Sequence, residues 1–232
     1  MDKQVEKLLV IVAKQPIPGR VKTRLFPKLS PEAAADLYRC FLQDRIKEVS
    51  SLNGVDRAIA YTPGAAKETF ASLALDGFEL FAQRGKHLGE RLNNIFLEKL
   101  SQGYEAVSIV DSDSPDLPKS LINESFELLL TRQADIVLGP CYDGGYYLVG
   151  IRKPHPELFR NIPWSTENVL SVTLEKARKM GLNVKLLSIW NDLDTFEDLV
   201  EFYNMYKDRL LSKDWVGNKT LTYLSRLENI YQ

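Results

Sequence analysis

Residues 106–118 have the sequence AVSIVDSDSPDLP, in which an apolar run passes directly into three aspartates. The run, residues 106–110, is rich in β-branched side chains and predicts a buried strand. Asp111, Asp113 and Asp116 follow it, and carboxylates after a central strand lie where an open α/β sheet binds ligands. Their oxygens suit Mg²⁺ or Mn²⁺. The alternative is an acidic turn in which Asp or Ser caps the next helix.

The composition is that of an ordinary globular protein. The chain has 232 residues, 44% of them hydrophobic and 26% charged, which suits one large α/β domain. A formal net charge of −1 gives no global field that would favour nucleic acid or an anionic membrane. No apolar run is long enough to span a bilayer, and no signal-peptide pattern precedes the first strand. We therefore expect a cytoplasmic protein whose phosphate affinity depends on a local cluster of cations.

Cysteine and histidine chemistry is poorly supported. Cys40 and Cys141 lie far apart without metal or redox spacing, so both are expected to be buried small apolar residues. The chain contains two histidines, His87 and His155. Zinc sites and Ser-His-Asp triads depend on histidine, so neither is predicted.

A basic loop follows the first predicted strand, residues 8–13 (LLVIVA). The loop, residues 14–24, contains two prolines and Gly19, which prevent regular structure. Its four cations are Lys14, Arg20, Lys22 and Arg24. Ammonium and guanidinium groups match phosphate oxygens, so the loop predicts phosphate binding; the alternative is a solvated basic loop. It is not a P-loop, because the first glycine of GxxxxGK[ST] is missing.

Strand and helix patterns alternate along the rest of the chain. This alternation predicts a three-layer α/β/α fold with a mostly parallel, doubly wound sheet and a late antiparallel hairpin. Residues 1–210 are predicted to form a single domain, and residues 211–232 a helical extension that packs on the body or on a second subunit of a homodimer. Helices are predicted from Ser30–Pro31, over residues 65–75, from Leu88, over residues 121–130 and 167–180, and from Thr195 to about Tyr206. Further strands are predicted at residues 57–61, 78–83, 135–139, 146–151 and 184–190.

Two glycine-containing turns follow predicted strands. Gly85 and Gly89 would let backbone approach a ligand closely; the alternative is a plain strand-to-helix turn. Residues 143–145, Asp-Gly-Gly, are typical of a hairpin turn. Their functional interpretation is a flexible clamp whose carboxylate faces a hydroxylated substrate. The neighbouring tyrosines are assigned to the core or to a sugar-stacking surface: Tyr142, Tyr146 and Tyr147.

The last predicted strand also ends in acidic residues. Asp192 and Asp194 precede Thr195, the expected cap of the next helix, whereas Glu197 and Asp198 favour that helix's positive end. Because parallel strands end at one edge of a sheet, these acids, the basic loop and the opening acidic turn are expected to meet. Such a site stabilises charge that develops on phosphate.

Six motifs together resemble a known family. They are residues 14–25 (KxPxxGxVKTRL), 85–91 (GxxLGxR), 113–117 (DSPDL), 139–146 (GPxxDGGY), 164–166 (WST) and 192–195 (DxDT). This combination resembles the bacterial glycosyltransferase-type proteins of the nucleotide-diphospho-sugar transferase superfamily, which have a GT-A-like fold. It is more distantly similar to molybdenum-cofactor nucleotidyltransferases and phospholactate guanylyltransferases. The resemblance covers residues 8–206.

The resemblance implies a role for particular residues. Asp113 and Asp194, with Asp192 as a further candidate, match metal ligands for Mg²⁺ or Mn²⁺, and Lys22 matches the lysine that steadies the phosphates. Gln83 with Gly85 resembles a pair that reads the nucleotide base, and residues 143–146 fall where acceptor or sugar is held. Asp111 has no assigned role. The further substrate- or nucleotide-binding residues are Lys14, Gly19, Arg20, Thr23, Arg24, Gly89, Gly144, Gly145, Tyr146, Trp164 and Thr166.

The expected function is that of a metal-dependent transferase with a nucleotide-activated donor, first a nucleotide-sugar glycosyltransferase. Lys22 and the metal would stabilise the leaving nucleoside diphosphate, and Asp143 would activate a small-molecule acceptor. The first alternative is a nucleotidyltransferase that releases pyrophosphate from a nucleoside triphosphate. The second is a non-catalytic nucleotide-binding protein.

Overall fold

The computed structural model describes residues 6–210, 215 and 217–227. Within these ranges the chain forms seven strands and seven α-helices. The strands are β1 (Lys7–Lys14), β2 (Asp56–Thr62), β3 (Phe78–Ala82), β4 (Ala106–Val110), β5 (Ile136–Pro140), β6 (Tyr146–Ile151) and β7 (Val184–Leu186). The helices are α1 (Pro31–Ser50), α2 (Lys67–Leu73), α3 (Leu88–Ser101), α4 (Lys119–Leu130), α5 (Val169–Lys179), α6 (Phe196–Tyr206) and α7 (Asn218–Leu224).

The seven strands form one sheet in the order β3-β2-β1-β4-β6-β5-β7. Neighbouring strands are parallel except for β6, which runs antiparallel to β4 and β5. Because β6 follows β5 through a tight turn, these two strands are the predicted late hairpin. Every residue of β4 is buried, as expected for a strand covered on both faces. The predicted α/β fold with a mostly parallel sheet is confirmed.

Helices cover both faces of the sheet, and alternate strand residues point into two separate cores. Leu9 and Ile11 of β1 belong to the core that also contains side chains of α1, α4, α6 and α7. Leu8 and Val10 belong to the other core, which contains side chains of α3 and α5. The period of two along a strand explains this division.

Helix capping follows the sequence at two starts and departs from it at a third. The Ser30 hydroxyl accepts a hydrogen bond from the Ala33 amide, and Thr195 forms a capping box with Asp198, as the sequence predicts. The prediction that Ser165 and Thr166 cap a helix from residue 167 is wrong, because α5 begins at Val169 without a side-chain cap. The Thr166 hydroxyl instead donates to the Pro163 carbonyl at 2.7 Å and stabilises the preceding turn.

The last strand is shorter than predicted. Regular pairing of β7 ends at Leu186, although the Leu187 amide still bonds to β5 and Trp190 forms an isolated bridge with Cys141. β7 lies at the edge of the sheet and pairs only with β5. An irregular backbone after Leu186 therefore loses hydrogen bonds on one side only.

The C-terminal segment packs on the body where it is described. Leu221 and Leu224 of α7 are buried in the core that α1 and α6 share. Residues 211–214, 216 and 228–232 of the predicted extension lie outside the described residues, and the boundary at residue 210 stays a prediction. No helix in the described ranges has the length and apolarity to cross a membrane. The cytoplasmic location and the homodimer also stay predictions.

Candidate functional site

The predicted site residues converge at one edge of the sheet. The carboxyl ends of β1, β4, β5 and β7 meet there, together with the amino end of the antiparallel β6. Four loops follow or precede these ends: residues 15–24, 111–118, 141–145 and 187–195. Ligands of open α/β sheets bind at this edge.

Lys22 is the centre of the arrangement. Its ammonium nitrogen, Nζ, lies 2.6 Å from Oδ1 of Asp113 and donates hydrogen bonds to Oδ1 of Asp194 at 2.8 Å and to the Leu193 carbonyl at 2.9 Å. The Lys22 side chain is only 4% exposed, whereas those of Asp113 and Asp194 are 39% and 32% exposed. A buried ammonium therefore lies beneath two carboxylates that solvent reaches.

The two carboxylates keep Lys22 charged. Burial alone would lower the pKa of Lys22, but the charges and hydrogen bonds of Asp113 and Asp194 outweigh it, and the pKa lies above its ordinary value. Burial would likewise raise the pKa of Asp194, but Lys22 and then Arg24 lower it below its ordinary value. Arg24 Nη1 lies 3.3 Å from Oδ2 of Asp194. Two cations of the basic loop thus bind one acid.

Lys22 has a backbone conformation that few non-glycine residues adopt. Its φ is +48°, in the left-handed region, and a short 3₁₀ helix begins at the next residue, Thr23. Leu25 of that helix is buried and anchors the loop on the body. A left-handed turn held by a buried anchor directs Lys22 inward, and such conformations are concentrated at functional sites.

The other predicted members of the basic loop lie nearer the solvent. Lys14, Gly19, Arg20 and Thr23 are exposed. Gly19 has a φ of +79° in the turn that precedes Lys22, a conformation that suits glycine. Lys14 is close enough to help lower the pKa of Asp194. The loop therefore places several cations around the acidic pair.

The aspartates of the opening stretch have three different environments. Asp113 contacts Lys22, as described above. Asp111 is partly buried and accepts a hydrogen bond from the Asp113 amide at 3.3 Å. Asp116 faces away and accepts hydrogen bonds from Trp190 Nε1 and the Tyr206 hydroxyl, each at 3.1 Å. Asp116 therefore fixes the turn on the body, and Asp111 and Asp113 face the site.

Two more acids titrate unusually. Burial, and then the charges of Asp113 and Asp192, raise the pKa of Asp111 to about 8. Burial, and then Asp194 and Asp143, raise the pKa of Asp192 to about 6. Burial is the largest cause of both shifts, and the neighbouring carboxylates add to it.

A divalent cation fits the donor set that surrounds Lys22 Nζ. Oxygens of Asp113, Asp194 and the Leu193 carbonyl all lie within 2.9 Å of that nitrogen, and an all-oxygen set suits Mg²⁺ or Mn²⁺. The ammonium stands at the centre of the set, so a cation would bind there once Lys22 moves aside.

A second group of possible ligand atoms lies next to this set. Atoms of Cys141, Asp143 and Asp192 lie within 4.8 Å of one another. Burial, and then the nearby aspartates, raise the pKa of the Cys141 thiol far above its ordinary value. A protonated thiol is a poor ligand for hard cations.

The glycine turn after β3 is explained by packing. A Cβ atom at Gly89 would lie 2.3 Å from the Phe159 carbonyl oxygen and 2.8 Å from Nε1 of Trp164. Gly85 has a φ of +137°, and its Cβ would lie 2.8 Å from Cβ of Glu90. Neighbouring residues of the protein therefore leave no room for a side chain at Gly85 or Gly89. A contact of this turn with a nucleotide base stays a prediction.

Gln83 is tied to the sheet. Its amide nitrogen, Nε2, donates to the Ala60 carbonyl at 2.7 Å and to the Ala13 carbonyl at 3.3 Å. Reading of a base through this nitrogen would require those bonds to break.

The Asp-Gly-Gly turn joins β5 to β6. Asp143 Oδ1 accepts a hydrogen bond from the Gly145 amide at 2.8 Å, which closes a tight turn. Gly144 has a φ of +86°, and a Cβ there would lie 2.0 Å from the Glu167 carbonyl oxygen. The turn is thus fixed against the segment before α5, and Asp143 stands beside the acidic cluster.

The three tyrosines near this turn differ in burial. Tyr142 is exposed, whereas Tyr147 is buried and its hydroxyl donates to the Ser188 carbonyl at 2.8 Å. Tyr146 is partly buried and meets the edge of Trp164, with ring centroids 6.2 Å apart. Tyr147 belongs to the core, and Tyr146 and Trp164 line a cavity of about 190 Å³ together with Asp111, Asp143 and Thr166.

Sequence reasoning missed Arg45, which lies behind the acidic turn. Its side chain is fully buried, and Nη1 donates to the Leu117 carbonyl at 3.1 Å. Burial lowers the pKa of Arg45, and the charges of Asp111 and Asp116 oppose that shift. The available signal was its spacing: Leu37, Phe41 and Arg45 recur every four residues on the buried stripe of α1.

Known proteins show what this chain is similar to. It is 27% identical over 190 residues to the 2-phospho-L-lactate guanylyltransferase of Haloarcula marismortui, covering 80% of this chain and 82% of the relative. A solved structure from Desulfovibrio desulfuricans G20, provisionally named a nucleotide-diphospho-sugar transferase, is 34% identical with a TM-score of 0.87. The match covers 97% of this chain and 96% of that one.

A third similarity concerns the fold alone. A CMP:2-keto-3-deoxy-manno-octonic acid synthetase complexed with CTP has a TM-score of 0.58 at 12% identity, covering 88% of this chain and all of that chain. The three comparisons confirm the predicted fold and the resemblance to this superfamily, and they agree with the prediction of an enzyme. Residues 45–166 match a family described as "Uncharacterized protein conserved in bacteria (DUF2064)", and the chain belongs to that family.

Proposed function

We propose that this protein is a nucleotidyltransferase that joins a nucleoside monophosphate to a small acceptor and releases pyrophosphate. The observation that carries the proposal is the buried Lys22 ammonium between Asp113 and Asp194 at the ligand-binding edge of the sheet. A structural ion pair does not require a left-handed lysine beneath two solvent-exposed acids. The guanylyltransferase relative supports nucleotidyl transfer.

The cations of the basic loop would bind the triphosphate. Its oxygens would compete with Asp113 and Asp194 for the Lys22 ammonium, and Arg24 would follow because it contacts the same acid. Charge-assisted hydrogen bonds to phosphate are strong, and they strengthen as charge moves onto the leaving pyrophosphate. Lys22 would then stabilise the transition state more than the ground state.

The acceptor would react beside Asp143. The acceptor's hydroxyl oxygen forms a bond to the α-phosphorus of the nucleoside triphosphate. The bond from that phosphorus to the bridging oxygen of the leaving pyrophosphate breaks, and the hydroxyl proton passes to the Asp143 carboxylate. Asp143 suits this role because it lies at the junction between the acidic cluster and the 190 Å³ cavity. The Asp192 carboxylate lies within 4.8 Å of that of Asp143 and, when it does not ligate the cation, is close enough to receive the proton next.

Asp113 and Asp194, with the Leu193 carbonyl, would hold Mg²⁺ or Mn²⁺ once Lys22 has moved onto the phosphates. A cation bound there neutralises phosphate charge and favours departure of the leaving group. Asp192 is a further candidate ligand on the same loop.

Glycosyl transfer from a nucleotide sugar is the second candidate. It is favoured by the name of the 34% identical relative from Desulfovibrio desulfuricans. The same residues would serve, because a nucleoside diphosphate leaves in place of pyrophosphate.

Product analysis separates these reactions. The protein is incubated with Mg²⁺ and each nucleoside triphosphate or nucleotide sugar, together with a mixture of alcohols and phosphorylated alcohols. Pyrophosphate release supports nucleotidyl transfer, and nucleoside diphosphate release supports glycosyl transfer. Lys22→Met should abolish either product. Lys179→Met is the matched control, because Lys179 is an exposed lysine at the far end of α5. Nucleotide binding without any product would contradict both reactions and leave a binding protein.

A further inference from the structure

A cavity of about 190 Å³ lies beside the acidic turn, on the sheet face that α3 and α5 cover. Its floor comes from β4 and β6, one side from the first turn of α3, and the other side from the segment before α5. The apolar residues that shape it are Leu88, Leu92, Ile109, Val149, Trp164 and Val169. Leu88 is 39% exposed and forms part of the rim, so the cavity can be reached from solvent.

The cavity has room for a small organic molecule. Apolar cavities of about 150 Å³ bind molecules of the size of benzene. The walls are largely aliphatic and aromatic, so water inside finds few hydrogen-bond partners, and an apolar ligand displaces it favourably.

The charges at the cavity exclude one class of ligand. Its ionisable residues on this face of the sheet are Asp111, Asp143 and Tyr146, and none of its described lining residues is Lys, Arg or His. A phosphate or carboxylate inside would meet the Asp143 carboxylate and no cation, which costs free energy.

Neutral polar groups are few and partly engaged. The Thr166 hydroxyl already donates to the Pro163 carbonyl. The indole N–H of Trp164 and the Tyr146 hydroxyl are buried and find no hydrogen-bond partner among the described residues, and Ser165 also lines the cavity. A ligand oxygen near Trp164 or Asp143 can be bonded, whereas hydroxyls that face the aliphatic walls of Leu88, Leu92, Ile109, Val149 and Val169 would stay unsatisfied.

We propose that this cavity binds the body of the acceptor, and that the acceptor is a neutral, mostly apolar alcohol with about six to eight carbons, a size set by the cavity. The hydroxyl lies at the Asp111–Asp143 end, where it faces the phosphates. This inference rests on the proposed function, because the acceptor role requires a nucleotide bound at Lys22. It sets the protein apart from its Haloarcula relative, whose name specifies a phosphorylated acid.

Ligand-observed saturation-transfer NMR tests the proposal. The probes are cyclohexanol and benzyl alcohol, with glycerol 3-phosphate and lactate as anionic counterparts. Leu88→Trp fills the rim and should weaken alcohol binding about tenfold, as expected for bulk added to an apolar pocket. Leu97→Trp is the matched control, because Leu97 lies on the same helix, is 38% exposed and does not line the cavity. Leu88→Phe replaces Leu88→Trp if the larger side chain prevents folding.

The expected result is alcohol binding to wild type and Leu97→Trp, a clear loss in the Leu88 variants, and no Leu88-dependent signal from the anions. Alcohol binding to the Leu88 variants as tight as to wild type would overturn the proposal, as would anions that bind in the cavity.

Nucleotide binding is measured separately, by calorimetric titration of wild type with GTP and CTP. Alcohol binding without nucleotide binding would refute the proposed function and the acceptor role but retain the apolar site. Nucleotide binding without alcohol binding would refute only this inference.

Discussion

Lys22 and Asp194 are 172 positions apart in the chain, yet Nζ of Lys22 donates a 2.8 Å hydrogen bond to Oδ1 of Asp194. The contact joins the loop after β1 to the loop after β7, and Asp113 after β4 completes it. The two predicted metal-binding carboxylates are thus found with a cation already between them. In the metal-free protein Lys22 relieves the repulsion between the two carboxylates. Replacement of either acid should therefore lower the stability of the metal-free protein.

Replacement of Lys22 by methionine should weaken nucleotide binding. Loss of one charge-assisted hydrogen bond costs about 1–3 kcal/mol, or about 5- to 150-fold in the dissociation constant. The thermal midpoint should also fall, because two acids lose their partner. Isothermal titration with nucleoside triphosphates measures the first effect, with Lys179→Met as the control. Unchanged nucleotide affinity in folded Lys22→Met protein would show that Lys22 is structural.

Asp113→Asn and Asp194→Asn should each destabilise the metal-free protein by about 1 kcal/mol, because each removes one charged partner of Lys22. If the two acids had no cation between them, each substitution would instead relieve their repulsion and raise the stability slightly. Both variants should also lose Mn²⁺-dependent nucleotide binding. Melting curves and calorimetric Mn²⁺ titrations with nucleotide present measure the two effects. If both variants bind Mn²⁺ and nucleotide like wild type, the metal site is wrong.

Local signals in the sequence predicted most of the fold. The apolar runs of β1 and β4, Ser30 before Pro31, and the Thr195 cap each depend on neighbouring residues, so the pattern was sufficient. The Thr166 hydroxyl donates to the Pro163 carbonyl and accepts from the Asn168 amide, so it stabilises the turn before α5 and not the first turn of that helix.

The contacts of the site depend on three-dimensional packing. That Lys22 would point inward between two acids requires the left-handed turn and the burial of Leu25, neither of which has a sequence signature. Arg45 was not singled out from the sequence, although it occupies a buried position of α1. The cavity beside Trp164 arises from five separate segments, and no single motif indicates an empty space.

Gly89→Ala should destabilise the protein without changing nucleotide affinity. The added methyl group would overlap the Phe159 carbonyl and the Trp164 ring, and such overpacking costs about 1–3 kcal/mol. Gly64→Ala is the control, because its Cβ would lie 3.8 Å from Cβ of Ala82, an ordinary contact. Urea unfolding measures both. A fall in nucleotide affinity in folded Gly89→Ala, at unchanged stability, would instead support the predicted ligand contact of Gly89.

Asp44 holds α7 on the body, and its removal should release that helix. Its carboxylate accepts hydrogen bonds from the amides of Lys219 and Thr220, at 2.9 and 2.8 Å, and from the Thr220 hydroxyl at 2.7 Å. Asp44→Ala leaves these buried donors unpaired and should cost about 2–4 kcal/mol. Hydrogen exchange at the two amides should accelerate. Asp36→Ala is the control, because Asp36 is an exposed acid on α1, the helix that also carries Asp44; it should leave the exchange of both amides unchanged.

The same carboxylate should make stability depend on pH. Burial raises the pKa of Asp44 above its ordinary value, although the hydrogen bonds from Thr220 and Lys219 oppose the shift. The folded state therefore binds the proton more tightly than the unfolded state, whose aspartates titrate at about 3.9. Between these two pKa values, a rise in pH removes a proton that favours folding, so this residue's contribution to stability decreases. Asp44→Asn does not titrate, so its free energy of unfolding relative to wild type should increase as the pH is raised from about 4 towards neutrality. Urea titrations of both proteins across that range measure the difference; a difference that stays constant or falls would show that the hydrogen bonds, and not burial, dominate the titration of Asp44.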